Sequence, residues 1–159
     1  MGRLHRGLQT HIPSSCACCL LSVDDEVAIL YARQAILQGA GYDVLNACDG
    51  EQALHIFASY SAGIDLVLLD YAMPGIDGGI VAREMRRRKP GVPIILVSAS
   101  IVPQEVFACV NGCVDKGQSP RVLLDEIARL THSVHGRRRP PAAVDIPRAI
   151  RTVRRSDAS

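Results

Sequence analysis

Ile64-Asp65-Leu66-Val67-Leu68-Leu69-Asp70-Tyr71-Ala72-Met73-Pro74-Gly75-Ile76-Asp77-Gly78 is the stretch that decides how this chain is read. The nearly unbroken apolar run from Ile64 to Leu69 is too short for a helix. It suits a strand buried on both faces of a parallel sheet. Asp70 stands where the run ends, and a carboxylate at the carboxyl end of a central strand lies in the crevice where open α/β sheets bind ligands. Met73-Pro74-Gly75 then turns the chain, because proline fixes φ and glycine permits positive φ. Taken alone, Asp70 reads more simply as a cap on that turn.

Working outward, the same strand-then-helix pattern recurs. Cys18 to Val23 reads as a first strand ending in Asp24-Asp25-Glu26. From Val27 a helical stripe runs through Leu30, Tyr31 and Gln34-Ala35 until Gly39 and Gly41 stop it. Tyr42 to Ala47 is a second strand, and Asp49-Gly50-Glu51-Gln52 resembles a capping box for a helix marked by Ala53, Leu54, Ile56, Phe57 and Tyr60. After Asp70 a third helix covers about Gly79 to Arg88, and the basic run Arg86-Arg87-Arg88-Lys89 complements its dipole better than it suggests a nucleic-acid patch. Pro93 to Val97 is a fourth buried strand ending in Ser98-Ala99-Ser100. A short helical segment follows over Gln104 to Val110, then a brief fifth strand, Gly112 to Val114, ending in Asp115-Lys116-Gly117. Ser119 and Pro120 start a last helix striped by Val122, Leu123, Ile127 and Leu130. Five strand–helix units in strict alternation predict an α/β fold: a doubly wound, five-stranded parallel sheet with helices on both faces and right-handed crossovers.

A chain of 159 residues accommodates one such domain with tails. The expected division is a flexible extension over 1–17, the domain over 18–131 and a basic tail over 132–159. From Cys19 to Thr131 fourteen Asp/Glu face nine Lys/Arg, whereas residues 132–159 carry seven Arg and two Asp. The body is therefore acidic and the tail basic. Tryptophan is absent and aromatic residues make up 4%, which argues against a base-stacking nucleic-acid surface. The six cysteines lack the spacing of a disulfide framework and fit a reduced cytoplasm. The Cys16-Ala17-Cys18-Cys19 run has no second ligand pair at zinc-finger spacing. No apolar run reaches membrane-spanning length.

Four of the five strands end in a polar residue able to act on one anion: Asp24 and Asp25, Asp70, Ser98, and Lys116. In a parallel sheet all these ends share one edge. Three carboxylates packed together repel, so a proton or a cation belongs among them. Oxygen-only ligands on a loose loop suit Mg²⁺, which keeps several waters and accepts phosphate oxygens. An aspartate is also a competent nucleophile toward phosphorus, and Lys116 and Ser98 would neutralise and position the transferred group.

With Val23-Asp24-Asp25-Glu26, Asp70-x-x-Met73-Pro74-x-x-Asp77-Gly78, Ser98-Ala99 and Lys116 in these places, the chain resembles the receiver domain of bacterial two-component response regulators over about Cys18 to Leu130. The resemblance implies a flavodoxin-like sheet of order 2-1-3-4-5, single-domain and similar to chemotaxis regulators. It implies Asp70 as phosphoacceptor, served by a histidine kinase or histidine phosphotransfer protein. Asp24 and Asp25 would position Mg²⁺, with the backbone carbonyl of Ala72 as a further ligand. Ser98 would swing toward the phosphoryl group, and Lys116 would pair with its oxygens. The chain departs from the family in three places. Gly117 follows Lys116 where proline is usual, and Cys113 stands where the family has Tyr or Phe. The interval from Ser98 to Lys116 is about one helical turn short, which predicts a stunted fourth helix.

The expected output is protein–protein contact with a downstream protein, since the 28 residues after Thr131 are too few for a helix-turn-helix domain. Two alternatives compete with this reading. An Asp-nucleophile phosphohydrolase would usually carry a second acid two residues after the nucleophile, where this chain has Ala72. A nucleic-acid role for the arginine-rich tail competes with a disordered solubilising tail. Ala72 and Ser100 flank the site with side chains poorly suited to orienting an attacking water, which predicts slow dephosphorylation.

Overall fold

A computed structural model describes residues 18–135. The expected N-terminal extension and nearly all of the basic tail lie outside the described residues. Five strands, β1 (Cys19–Val23), β2 (Asp43–Ala47), β3 (Leu66–Leu69), β4 (Ile94–Ser98) and β5 (Gly112–Asp115), form one sheet of order β2-β1-β3-β4-β5 with every pair parallel. Four α-helices alternate with them: α1 (Val27–Gly39), α2 (Gly50–Tyr60), α3 (Gly78–Arg88) and α4 (Pro120–His135). Between β4 and β5 the stunted helix expected from the short interval is a single six-residue 3₁₀ helix, Gln104–Cys109.

The continuous apolar strands divide their side chains by period two between two cores. Leu21, Val23, Val67, Leu69, Ile94 and Leu96 meet Phe57 of α2 and Val81, Ala82 and Met85 of α3. Leu20, Leu66, Leu68, Ile95 and Val97 meet Leu37 of α1 and Ile127 of α4. Burial on both faces is why Leu66–Leu69 carries no polar alternation.

Helix phases differ from the sequence reading in particular places. The inward face of α1 is Leu30, Arg33 and Leu37, while Val27 and Tyr31, read as part of the apolar stripe, are exposed. Tyr60 at the end of α2 is likewise exposed. The last helix continues to His135, past the domain boundary expected at Thr131. Thr131 donates its hydroxyl to the Ile127 carbonyl at 2.8 Å without breaking the helix, and the first strong breaker is Gly136.

Helix α2 is capped much as its sequence predicts. The Asp49 carboxylate accepts from the Gln52 amide at 2.7 Å, and Gln52 Oε1 reaches back to the Cys48 amide, one residue before the cap, at 2.7 Å. Asp49→Ala should lower stability by about 1 kcal/mol, the usual worth of an N-cap, read as a lower urea midpoint at unchanged slope.

The basic run ending α3 is occupied by protein. Arg86 donates to the carbonyls of Pro90, Val92 (2.7 Å) and Cys109, and to Asn111 Oδ1 at 2.7 Å. Lys89 Nζ donates to the carbonyls of Ser61 at 2.6 Å and Ile64 at 2.9 Å. Arg87 and Arg88 pair with Glu84. Two of the four residues therefore fasten the loops entering β3, β4 and β5, a larger role than complementing the helix dipole.

Candidate functional site

The carboxyl ends of β1, β3, β4 and β5 converge on one edge of the sheet, and register makes this unavoidable. Val23 pairs with Leu69, so Asp24 and Asp70 each follow one of two paired residues on adjacent strands. Ser98 pairs with Asp115, which puts Lys116 one residue past the end of that ladder. The Lys116 amide donates to the Ser98 carbonyl at 3.1 Å, fixing the start of the lysine loop.

Asp24 is wholly buried and Asp70 nearly so. Asp24, Asp25 and Asp70 each bring a carboxylate oxygen within 4.8 Å of the others. The cation required among them is present: Lys116 Nζ lies 2.9 Å from Asp24 Oδ2 and 2.9 Å from Asp70 Oδ2. Burial pushes the Asp70 carboxyl above its ordinary range. The hydrogen bond and charge of Lys116 oppose that shift, Asp24 adds to it, and the Ala72 amide opposes it. For Lys116 burial pulls downward, but the hydrogen bonds and charges of Asp70 and Asp24 outweigh it and hold the ammonium above its ordinary value.

The loop after β3 is built around Asp70. The Ala72 amide donates to Asp70 Oδ1 at 3.2 Å, and the Gly78 amide donates to the Tyr71 carbonyl at 2.9 Å. Gly75 takes the positive φ expected of the turn, +79°. Asp77 caps α3 by accepting from the Ile80 amide at 3.0 Å. The Asp-Gly pair that closes the motif is thus a helix start pressed against the Asp70 backbone.

Ser98 is buried, and its hydroxyl exchanges hydrogen bonds with its own loop. It accepts from the Ser100 amide at 3.1 Å and donates to the Ser100 carbonyl at 3.2 Å. It therefore belongs to the same edge without touching Asp70 or Lys116 through its side chain. Cys113, which stands where the family has an aromatic residue, is exposed on β5.

One residue of the site was missed by sequence reasoning. Arg33 of α1 is buried and donates Nη2 to Asp24 Oδ2 at 2.9 Å and Nη1 to Ser22 Oγ at 3.1 Å. The available signal was a lone arginine three residues from Leu30 and four from Leu37, on the face that packs against the sheet.

The three carboxylates are hard oxygen donors clustered at one edge of the sheet, a donor set that suits Mg²⁺ over softer metals.

Comparison with known proteins agrees with this fold. A probable transcriptional regulator, ycf27 of Cyanidium caldarium, is 46% identical over 125 residues, covering 74% of this chain and 48% of that protein. The chain spans about half or less of the length of the curated relatives it matches. The response regulator TrrA of Thermotoga maritima, solved in complex with Mg²⁺ and BeF, superposes with a TM-score of 0.66 at 35% identity, covering 71% of this chain and 98% of that one. TrrA in complex with the histidine kinase ThkA superposes with a TM-score of 0.65 at 35% identity, over 71% of this chain and 97% of that one. Residues 20–128 match the family model of the response regulator receiver domain. A match of that extent, on this strand order, makes the chain a member of the receiver domains of two-component response regulators.

Proposed function

We propose that Asp70 is the phosphoacceptor of this receiver, taking a phosphoryl group from the phosphohistidine of a histidine kinase or histidine phosphotransfer protein. The observation that carries this reading is the Lys116 ammonium held 2.9 Å from Asp70 inside a three-carboxylate cluster. An ionised Asp70 oxygen attacks phosphorus, the P–N bond of phosphohistidine breaks as the P–O bond of an acyl phosphate forms, and the imidazole leaves with the electron pair. Lys116, already beside Asp70, neutralises charge on the transferred group. Ser98, whose hydroxyl is bonded to the Ser100 backbone, would turn to donate that hydroxyl to a phosphoryl oxygen. Asp24, Asp25, Asp70 and the Ala72 carbonyl would hold Mg²⁺, which when bound supplies further neutralisation of phosphoryl oxygens.

The kinase assignment is supported by the complex of ThkA with TrrA, and the Mg²⁺ assignment by TrrA with Mg²⁺ and BeF. Among the described residues Cys19, Cys48, Cys109 and Cys113 form no disulfide, which suits a cytoplasmic setting. Among the described residues no helix is long and apolar enough to cross a membrane. Signalling to a downstream protein by contact, without substrate turnover, is part of the same reading.

Incubation with acetyl phosphate and Mg²⁺, followed by intact mass, tests it. A single phosphoryl adduct that outlasts seconds, absent in Asp70→Ala, is expected. Multiple turnover of acetyl phosphate with no adduct would instead identify a phosphohydrolase, and an adduct with a half-life of seconds would contradict the slow decay expected beside Ala72 and Ser100.

A further inference from the structure

Helix α1 turns an uncharged face to solvent. Arg33 is the only charged residue between Val27 and Gly39, and it is buried. The side chains left exposed are Val27, Ala28, Tyr31, Ala32, Ala35 and Gln38. At about 100° per residue these fall on one continuous outer stripe, opposite the buried Leu30 and Leu37. Its two large members are half or more exposed, Val27 at 51% and Tyr31 at 67%. A surface helix ordinarily carries charged and polar residues on its outer side, and a contiguous apolar patch there marks a contact surface. Ala28, Ala32 and Ala35 add little height, so a second helix could lie close against α1.

We propose that residues 146–153 of the same chain, which lie outside the described residues, pack on this face of α1. Reach favours this occupant. Helices α1 and α4 cover the same side of the sheet, meeting one core through Leu37 and Ile127. Both run from the carboxyl edge back to the amino edge, so the chain leaves α4 at His135 on the edge where α1 ends. Residues 136–145 extend to about 33 Å, and α1, at 13 residues, is about 20 Å long. A segment tethered that closely has an effective concentration in the millimolar range, so even weak intrinsic affinity seats it. Pattern favours it too. Ile146, Ala149, Ile150 and Val153 recur at the spacing of one helical face, and Pro147 is tolerated in a first turn. Charge completes the match. Arg148, Arg151, Arg154 and Arg155 accompany that stripe, while Glu26 and Asp43 stand just beyond the two ends of α1 and have no ion pair among the described residues. A second copy of the domain would bring no such complement, because its own α1 face is equally uncharged.

The test is NMR on the full chain with labelled methyl groups. Nuclear Overhauser contacts from the Tyr31 ring to the methyl groups of Ile146, Ile150 and Val153 are expected, in a protein that sediments as a monomer. Ala32→Arg sets a bulky like charge in the middle of the exposed stripe without touching the core, and should abolish those contacts. In the same variant trypsin should cut after Arg148 and Arg151 faster by on the order of tenfold, because docking withholds those bonds from the protease. The unmodified chain decides the matter even where the variant fails to fold: absence of the Tyr31 contacts overturns the proposal. Contacts found only between differently labelled molecules, with sedimentation as a dimer, also overturn it and give the face to a second copy. Equal cleavage of the unmodified chain and a folded Ala32→Arg protein overturns it as well. None of these readouts uses Asp70, so their outcome is separate from that of the phosphoacceptor assignment.

Discussion

Replacing Lys116 with methionine should destabilise the domain by about 3 kcal/mol near pH 8, and by distinctly less near pH 5. The ammonium is the only partner common to Asp24 and Asp70 among the described contacts, at 2.9 Å from each, and its side chain is 16% exposed. Removing one member of a buried, hydrogen-bonded ion pair leaves the other uncompensated, and here Asp70 loses its cation while facing an Asp24 that keeps only Arg33. The pH dependence follows from the direction of the Asp70 shift. Its carboxyl lies above the ordinary range in the folded protein, because burial outweighs the help it receives from Lys116. A carboxyl raised in this way favours the fold when protonated, below its ordinary pKa, and that contribution is lost as pH rises through the folded value. Without Lys116 the largest opposing influence is gone, so the carboxyl rises further and protonation at mildly acidic pH relieves more of the repulsion. Lys116 itself titrates above its ordinary value, so its own stabilisation is intact from pH 5 to 8 and is lost only in the alkaline range. Urea denaturation at the two pH values measures the effect. Asp70→Asn in the Lys116→Met background should restore part of the loss by removing one of the facing charges, and a Lys116→Met protein as stable as the unmodified chain at both pH values would show that the Nζ contacts carry no net energy. Labelling by acetyl phosphate should fall by on the order of a hundredfold in Lys116→Met, the scale of losing one charge-stabilising donor.

The parts of this site that were legible in the sequence are those set by strand ends. Asp24 and Asp70 each follow an apolar run whose length announces a buried strand, Lys116 follows a brief edge strand, and parallel alternation brings all such ends to one edge whatever the side chains do. The cap of α2 was legible from local spacing, and the shortened segment before β5 from setting the Ser98–Lys116 interval against the one usual in the family it resembles. What was not legible depends on partners distant in the chain. Val27 and Tyr31 look like members of an apolar stripe, but the packed face of α1 is set by Leu30 and Leu37, and Arg33 between them is tolerated inside only because Asp24 supplies a counter-charge nine residues away. Arg86 and Lys89 sit in a run that reads as helix-end charge, yet their targets are carbonyls of loops whose proximity only the fold creates. The Ser98 hydroxyl shows the same limit at the site itself. Its position at the strand end was readable, but its rotamer is chosen by Ser100.

Gly78→Ala should be among the most damaging single substitutions in the chain, although it adds one methyl group. An alanine Cβ at this position would stand 2.3 Å from the Asp70 carbonyl oxygen, 2.8 Å from the Tyr71 Cα and 3.1 Å from the Asp70 carbonyl carbon. All three are backbone atoms, so no side-chain rotation relieves the clash. Overpacking where side chains yield costs on the order of 1–3 kcal/mol, and a clash against backbone belongs at or above the top of that span. Alanine would return somewhat under 1 kcal/mol through its helix propensity, leaving a net loss of about 2–3 kcal/mol. Two neighbours provide controls. Gly91 has open space where a Cβ would go, so Gly91→Ala should leave stability nearly unchanged. Gly75 has open space but a φ of +79°, so Gly75→Ala should cost about 1–2 kcal/mol through backbone strain alone. The functional loss should exceed what stability predicts. The chain relieves the contact at Gly78 by moving the start of α3 away from Asp70 or by moving Asp70 itself, and the Ala72 and Tyr71 bonds that hold the loop move with it. Displacing a nucleophile by about 1 Å costs on the order of a hundredfold in rate. At a temperature where Gly78→Ala remains folded, its acetyl phosphate labelling should therefore fall by about that factor while Gly75→Ala and Gly91→Ala label much more nearly as the unmodified chain does. A Gly78→Ala protein that labels normally would mean that the close approach of α3 to the Asp70 backbone serves packing alone, and that the Asp-Gly pair ending the motif has no part in aiming the phosphoacceptor.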